Sequence, residues 1–169
     1  MAVTAVLVLR DPSDEPKSGT TSSPLPKRGV LFELRRLGVV GVRPPGWRVK
    51  RSSRAVRLAS PDRAGLVGVS VAPSSVGAGP LIASSLATVR RSYRRAKLTK
   101  INRARVGGIP GRTSGGTAVN SRGVPLDLVI ATAEGRRRTY LLQVFVARGA
   151  GGRRLAEAQT IVNSLELSG

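Results

Sequence analysis

Residues 138 to 147 read Arg-Thr-Tyr-Leu-Leu-Gln-Val-Phe-Val-Ala. Successive side chains of a strand point to opposite faces. Tyr140, Leu142, Val144 and Val146 therefore share one face, and Leu141 and Phe145 lie on the other. Apolar residues on both faces require cover on both. Beyond the loop Gly149 to Gly152, Leu155, Ala158, Ile161, Val162 and Leu165 recur at helical spacing and supply one such cover. Upstream, Leu126, Leu128 and Ile130 alternate before a turn at Glu134 and Gly135. So short a connection implies antiparallel pairing.

The same pattern extends toward the N-terminus. Residues 111 to 119 form a further strand of this meander, preceded by a turn from Gly107 to Gly111 and a predicted strand from Leu98 to Val106. Gly79 and Pro80 suit a helix start, with Pro at the first helical position. Ile82, Leu86, Val89 and Tyr93 then follow at helical spacing, with Arg90, Arg91, Arg94, Arg95 and Lys97 crowding the end of that helix. Cations there complement the helix dipole, so the cluster has a structural reading beside an anion-binding one. Val67, Val69 and Val71 alternate, as do Val56 and Leu58 across a Pro61-Asp62 turn, which gives a hairpin with one buried face. Val39, Val40 and Val42 run into Pro44, Pro45 and Gly46, after which Trp47, Arg48 and Val49 resume an extended run and Trp47, the only Trp, reads as a core anchor. The expected fold class is α+β: an antiparallel sheet of about six strands with helices on its two faces.

The chain of 169 residues is the size of one domain and can bury a core without staples. Residues 38–169 are expected to form that domain, behind a flexible N-terminal tail and linker at 1–37. The stretch Ala-Val-Thr-Ala-Val-Leu-Val-Leu at 2–9 is apolar but far short of the roughly 20 residues that span a bilayer. A Pro-, Ser- and Thr-rich linker follows it. One reading is a truncated membrane anchor whose start lies upstream of Met1; the other is an ordinary frayed terminus.

Net charge is +20, and 18 of those charges come after residue 37. A domain this basic attracts polyanions and anionic membranes. Only five of the 29 basic residues are Lys, and Arg is a residue that a GC-rich genome over-uses, so the charge also has a purely compositional reading.

The chain contains no Cys and no His. Disulfides and thiolate zinc sites are thereby excluded. The usual general base near neutral pH and the commonest transition-metal ligand are missing too. Asp62, Asp127, Glu134, Glu157 and Glu166 are scattered along the domain rather than paired. Gly68-Val69-Ser70-Val71-Ala72 misses the nucleophile-elbow pattern by one glycine, and the Gly107 to Gly111 turn is followed by no Gly-Lys-Ser or Gly-Lys-Thr. No catalytic, cofactor-binding or metal-binding residue is assigned. Readers of single strands stack bases on exposed aromatics, whereas Trp47, Tyr93, Tyr140 and Phe145 fall at core positions.

The stretch Gly41-Val42-Arg43-Pro44-Pro45-Gly46-Trp47-Arg48-Val49, the strand at 138 to 149 and the helix at 155 to 167 together resemble PsbP-like and Mog-like domains. The likeness covers most of residues 38 to 167. It implies an antiparallel sheet with helices on both faces, acting by binding and without a cofactor, in a bacterial member of the group. Relatives include photosystem subunits of the thylakoid lumen, a Ran-binding protein, envelope lipoproteins and secretion chaperones. They share no catalytic residues to carry over.

These readings lead to an expected non-catalytic accessory domain that binds another protein at the cell envelope, outside the cytoplasmic membrane, with no small-molecule substrate. The alternative is a cytoplasmic protein that contacts nucleic acid or anionic lipid weakly, through Arg90, Arg91, Arg94, Arg95, Lys97, Arg136, Arg137 and Arg138.

Overall fold

The computed structural model describes residues 29–168. The apolar stub at 2–9 and nearly all of the linker lie outside the described residues. In chain order the elements are β1 (Val30–Leu34), β2 (Val39–Arg43), β3 (Arg48–Arg51), β4 (Ala55–Ala59), β5 (Gly65–Pro73), α1 (Ala78–Ser92), β6 (Arg94–Leu98) and β7 (Asn102–Val106). They continue with β8 (Ile109–Val119), β9 (Pro125–Glu134), β10 (Arg138–Ala147), α2 (Gly151–Asn163) and β11 (Glu166–Leu167). The main sheet has the order β3-β4-β5-β10-β9-β8-β6, with β7 also paired to β8, and every pairing is antiparallel. A small second sheet has the order β1-β2-β11.

The doubly apolar strand, β10, lies in the middle of the main sheet between β5 and β9. Tyr140, Leu142, Val144 and Val146 are buried with Val56, Leu58, Val67 and Val69 beneath Ala158, Ile161 and Val162 of α2. Phe32, Val39 and Leu167 of the small sheet complete that core. On the opposite face, Ile82, Leu86 and Val89 of α1 pack on Leu128, Ile130 and Ala118, with Leu141 and Phe145 partly buried at the edge of the cluster.

Helix α1 has a topological task as well. Strand β5 lies beside β10, but β6 lies at the far edge beside β8, four strand steps away. At about 4.8 Å per step that distance is about 19 Å. The 15 residues of α1 rise about 22 Å, but the helix already begins over β9, where Ala78 is hydrogen-bonded to Glu134 and Thr132, and Tyr93 at its end stacks on Phe145 of β10. It therefore covers the central strands, and the segments flanking it share the lateral crossing.

The α+β class and the two covered faces match the sequence reading. The strand count differs: among the described residues eight strands form the main sheet and three the small one, rather than about six. Among the additional strands, β6 is rich in Arg and Lys and lacks an apolar alternation, whereas β3 falls on the extended run at Trp47 to Val49. Folded structure also begins before Gly38, because β1 pairs with β2 along its whole length and Phe32 is buried. Helix α1 starts at Ala78, two residues before the position that Pro80 suggests. Pro80 still costs nothing there, since the first four helical N–H groups have no intrahelical partner.

The helical stripe also overran its true end. Tyr93 is extended (φ −119°, ψ 141°) and closes α1, so Arg94, Arg95 and Lys97 lie on β6 rather than on the helix. Its ring stacks on Phe145 of β10 with centroids 5.5 Å apart. That contact with another element, rather than periodicity, accompanies the break.

Glycines in β8 permit close approach of the neighbouring strand. A Cβ on Gly116 would overlap the carbonyl oxygen of Lys97 in β6, which is backbone and cannot swing aside. A Cβ on Gly149 would meet nothing within 4 Å. Gly116→Ala should therefore cost about 2 kcal/mol of stability, and Gly149→Ala no more than about 0.5 kcal/mol. Urea unfolding midpoints of the two variants check this; equal effects would contradict the assigned approach of β6 to β8.

Candidate functional site

The basic residues singled out from sequence do not form one site. Arg90 and Arg91 occupy the last turn of α1, and Arg94, Arg95 and Lys97 continue onto β6. Arg95 has φ +51° and sits where the β6–β8 register slips between Arg94 and Lys97. Such a bulge re-aims side chains at an edge. Arg136, Arg137 and Arg138 lie in and just after the β9–β10 turn, at the opposite end of α1, where the Ala78 amide donates to Glu134 Oε2 at 3.2 Å. The helix separates the two groups by about 20 Å. Arg138 is further tied down by donating to the Arg36 carbonyl at 2.5 Å.

A different arginine cluster converges in a cavity at the head of α1. Strands β7 and β8 form a hairpin through Gly107 and Gly108, whose φ values of +57° and +86° suit the two-residue turn. That turn sets Arg103 directly opposite Arg112 and Arg105 opposite Pro110. Residues directly opposite one another share a face, so three guanidinium groups project from the same side of the hairpin. Arg112 also lies opposite Thr132 of β9, whose hydroxyl donates to the Ala78 carbonyl at 3.1 Å. The cavity, about 430 Å³, is bounded by Arg103, Arg105, Arg112, Glu134, Ala78 and Pro110. The sequence pattern does not reveal this cluster, because Gly107 to Gly111 reads there as a single turn. Placing a two-residue turn at Gly107-Gly108 would have fixed the register and brought Arg103 to Arg112.

On the other face lies a groove of about 460 Å³, floored by Val129, Val144 and Val146 and bordered by Leu155 of α2. It exists because Gly115 presents no side chain on this face and α2 lies over β5 and β10 rather than over β8. Lys97 and Asp127 stand among its walls, the latter paired with Arg148 at 2.8 Å.

The acids of the domain are mostly occupied in holding it together. Glu157 accepts from the Trp47 indole N–H at 2.9 Å, from Arg154 at 2.5 Å and from Arg153 at 2.9 Å. Burial works to raise its pKa, but these three donors outweigh burial and hold the carboxyl below its ordinary value. Asp62 accepts from the Ser60 hydroxyl, Arg154 and the Ala64 amide, and in that order these hold its carboxyl well below the usual carboxylate range. Arg154 thus bridges α2 to the β4–β5 turn. Among the described residues no group of three or more Asp or Glu comes together in a way that could hold a metal ion, and no helix is long and apolar enough to cross a membrane.

No family model and no curated protein matches this chain. Solved structures do match. The solution structure of cyanobacterial PsbP (CyanoP) from Synechocystis sp. PCC 6803 superposes with a TM-score of 0.63 at 13% identity, over 89% of this chain and 97% of that one. The crystal structure of LpqN, involved in cell envelope biogenesis of Mycobacterium tuberculosis, gives 0.60 at 12% identity, over 84% and 91%. The fold is PsbP-like.

Both lowered carboxyl groups make stability depend on acid. A folded pKa below the unfolded value contributes stability above the unfolded pKa, about 4 for these groups, which is lost as pH falls through the folded value. The unfolding midpoint should therefore drop from pH 5 to pH 2.5. Arg154→Gln removes the donor common to Asp62 and Glu157, so it should destabilise the protein at pH 7 and shrink that drop. A variant that loses the same stability at both pH values would show that Arg154 does not act through these carboxylates.

Proposed function

We propose that this is a non-catalytic accessory domain of PsbP-like and Mog-like type that acts by binding another protein at the cell envelope. The observation that carries the reading is the employment of its carboxylates. Asp62 and Glu157 hold α2 to the sheet side, Asp127 pairs with Arg148, Glu33 pairs with Arg35, and Glu134 accepts from the first amide of α1. In a chain without His or Cys, these are the side chains best suited to general acid–base or metal chemistry, and of the six described carboxylates five are so paired, while Glu166 stands apart on β11. The envelope placement draws on the fold shared with LpqN, which is described as involved in cell envelope biogenesis.

A reporter tests the placement directly. Alkaline phosphatase fused after Gly169 of the natural full-length gene product should be active in intact cells, because that enzyme matures only in an oxidising compartment. An inactive, cytosolic fusion protein overturns the envelope reading.

A second reading has an observation of its own. None of Arg90, Arg91, Arg94, Arg95, Lys97, Arg136, Arg137 and Arg138 has an ion-pair partner among the described residues. In this reading they contact nucleic acid or anionic lipid. Reversing Arg90, Arg91, Arg94 and Arg95 to Glu should then abolish polyanion binding at physiological salt; unchanged affinity removes the option.

A further inference from the structure

We infer that the cavity at the head of α1 is a binding site for a phosphate-class oxyanion, held by Arg103, Arg112 and Arg105. The inference goes beyond the accessory role and does not depend on where the domain resides.

Four observations point the same way. Arg103 and Arg112 stand directly opposite each other on β7 and β8, an arrangement of like charges that destabilises a ladder unless an anion lies between or beside them. Neither side chain has a hydrogen-bond or ion-pair partner among the described residues. Arg105 is held by donating to the Gly108 carbonyl, which leaves its remaining donors free. The three line a concavity large enough for a phosphate group and what it is attached to, about 430 Å³. Arginines that merely protect the exposed β7 edge from pairing with other chains would need no concavity.

Charge and shape select the ligand class. Three guanidinium groups and Glu134 leave the cavity with a net charge of about +2, which a phosphate monoester, at about −1.5 to −2 near neutral pH, neutralises. Guanidinium forks bind planar pairs of oxygens. A carboxylate offers two oxygens and is saturated by one or two forks, whereas a tetrahedral oxyanion offers three or four in different directions. Glu134 accepts from the Ala78 amide and faces the same cavity, so it opposes the anion and limits its affinity.

The purified chain tests this at physiological salt, with inorganic phosphate and with phosphatidylglycerol vesicles as separate probes, read by amide chemical shifts and by co-sedimentation. Phosphate should shift the amides of Ala78, Gly79 and residues 103 to 112. The variant Arg103→Gln with Arg112→Gln should weaken binding about tenfold or more. Arg90→Gln with Arg91→Gln removes the same charge at the far end of α1 and should change affinity less than about twofold. Glu134→Gln keeps a side-chain acceptor for the helix amide while removing the opposing charge, so it should tighten binding several-fold. Vesicle binding without phosphate binding, lost only in the Arg103/Arg112 variant, assigns the site to a lipid phosphate. Binding of neither probe, equal weakening by both arginine pairs, or no gain from Glu134→Gln overturns the proposal. All three variants change exposed side chains, and unchanged amide spectra away from the site confirm that they fold.

Discussion

Strand β10 imposes the constraint on which the rest of the molecule depends. It is hydrogen-bonded on both edges, to β5 and to β9, and apolar on both faces. No single layer of helices can satisfy such a strand, so the chain supplies one helix on each side. Helix α2 follows β10 directly, reached through a glycine-rich loop. Helix α1 is inserted between β5 and β6, beginning over the end of β9 and ending against Phe145 of β10. Two separate aliphatic cores result, one larger and capped by the three-stranded sheet, the other confined to α1 and the strands beneath it.

Polar contacts secure what the cores leave loose. Trp47 fills the main core, with 1% of its surface exposed, yet its indole N–H needs a partner. Glu157 provides it, and Arg154 continues the chain of contacts to Asp62 in the β4–β5 turn. One end of α2 is thereby fastened to two distant segments. With so few acids set against 29 basic residues, this use of carboxylates leaves most arginines in water. The distribution that follows is uneven: one group gathers at the end of α1 and along β6, a second in the β9–β10 turn, and a third inside the cavity beside Ala78.

Much of this was legible beforehand, and the reasons for the rest are physical. Strands β9 and β10 and the β4–β5 hairpin carry unmixed periods and occur where the pattern puts them; the stripe of α2 does so only to Asn163, because Leu165 lies past the helix end and Glu166–Leu167 pair with β2 as β11. Strand β6 carries charge in place of alternation, because a strand at the margin of a sheet buries little. Tyr93 fits a helical period and is extended all the same, its ring stacked on Phe145, 52 residues further along. Strand β1 was hidden by Glu33, Arg35 and Arg36, although Val30, Phe32 and Leu34 alternate through it.

From its sequence alone the chain was committed to an aliphatic α+β sandwich with a strongly basic exterior and no histidine or thiol chemistry, since side-chain period and composition are local properties. Which arginines would meet was decided only by tertiary structure. Arg94 and Arg136, both among the residues a polyanion reading would use, stand at opposite ends of α1. Arg103 and Arg112 are nine positions apart and face each other, because a two-residue turn fixes the register of β7 on β8 and the crossover of α1 delivers a helix terminus beside them.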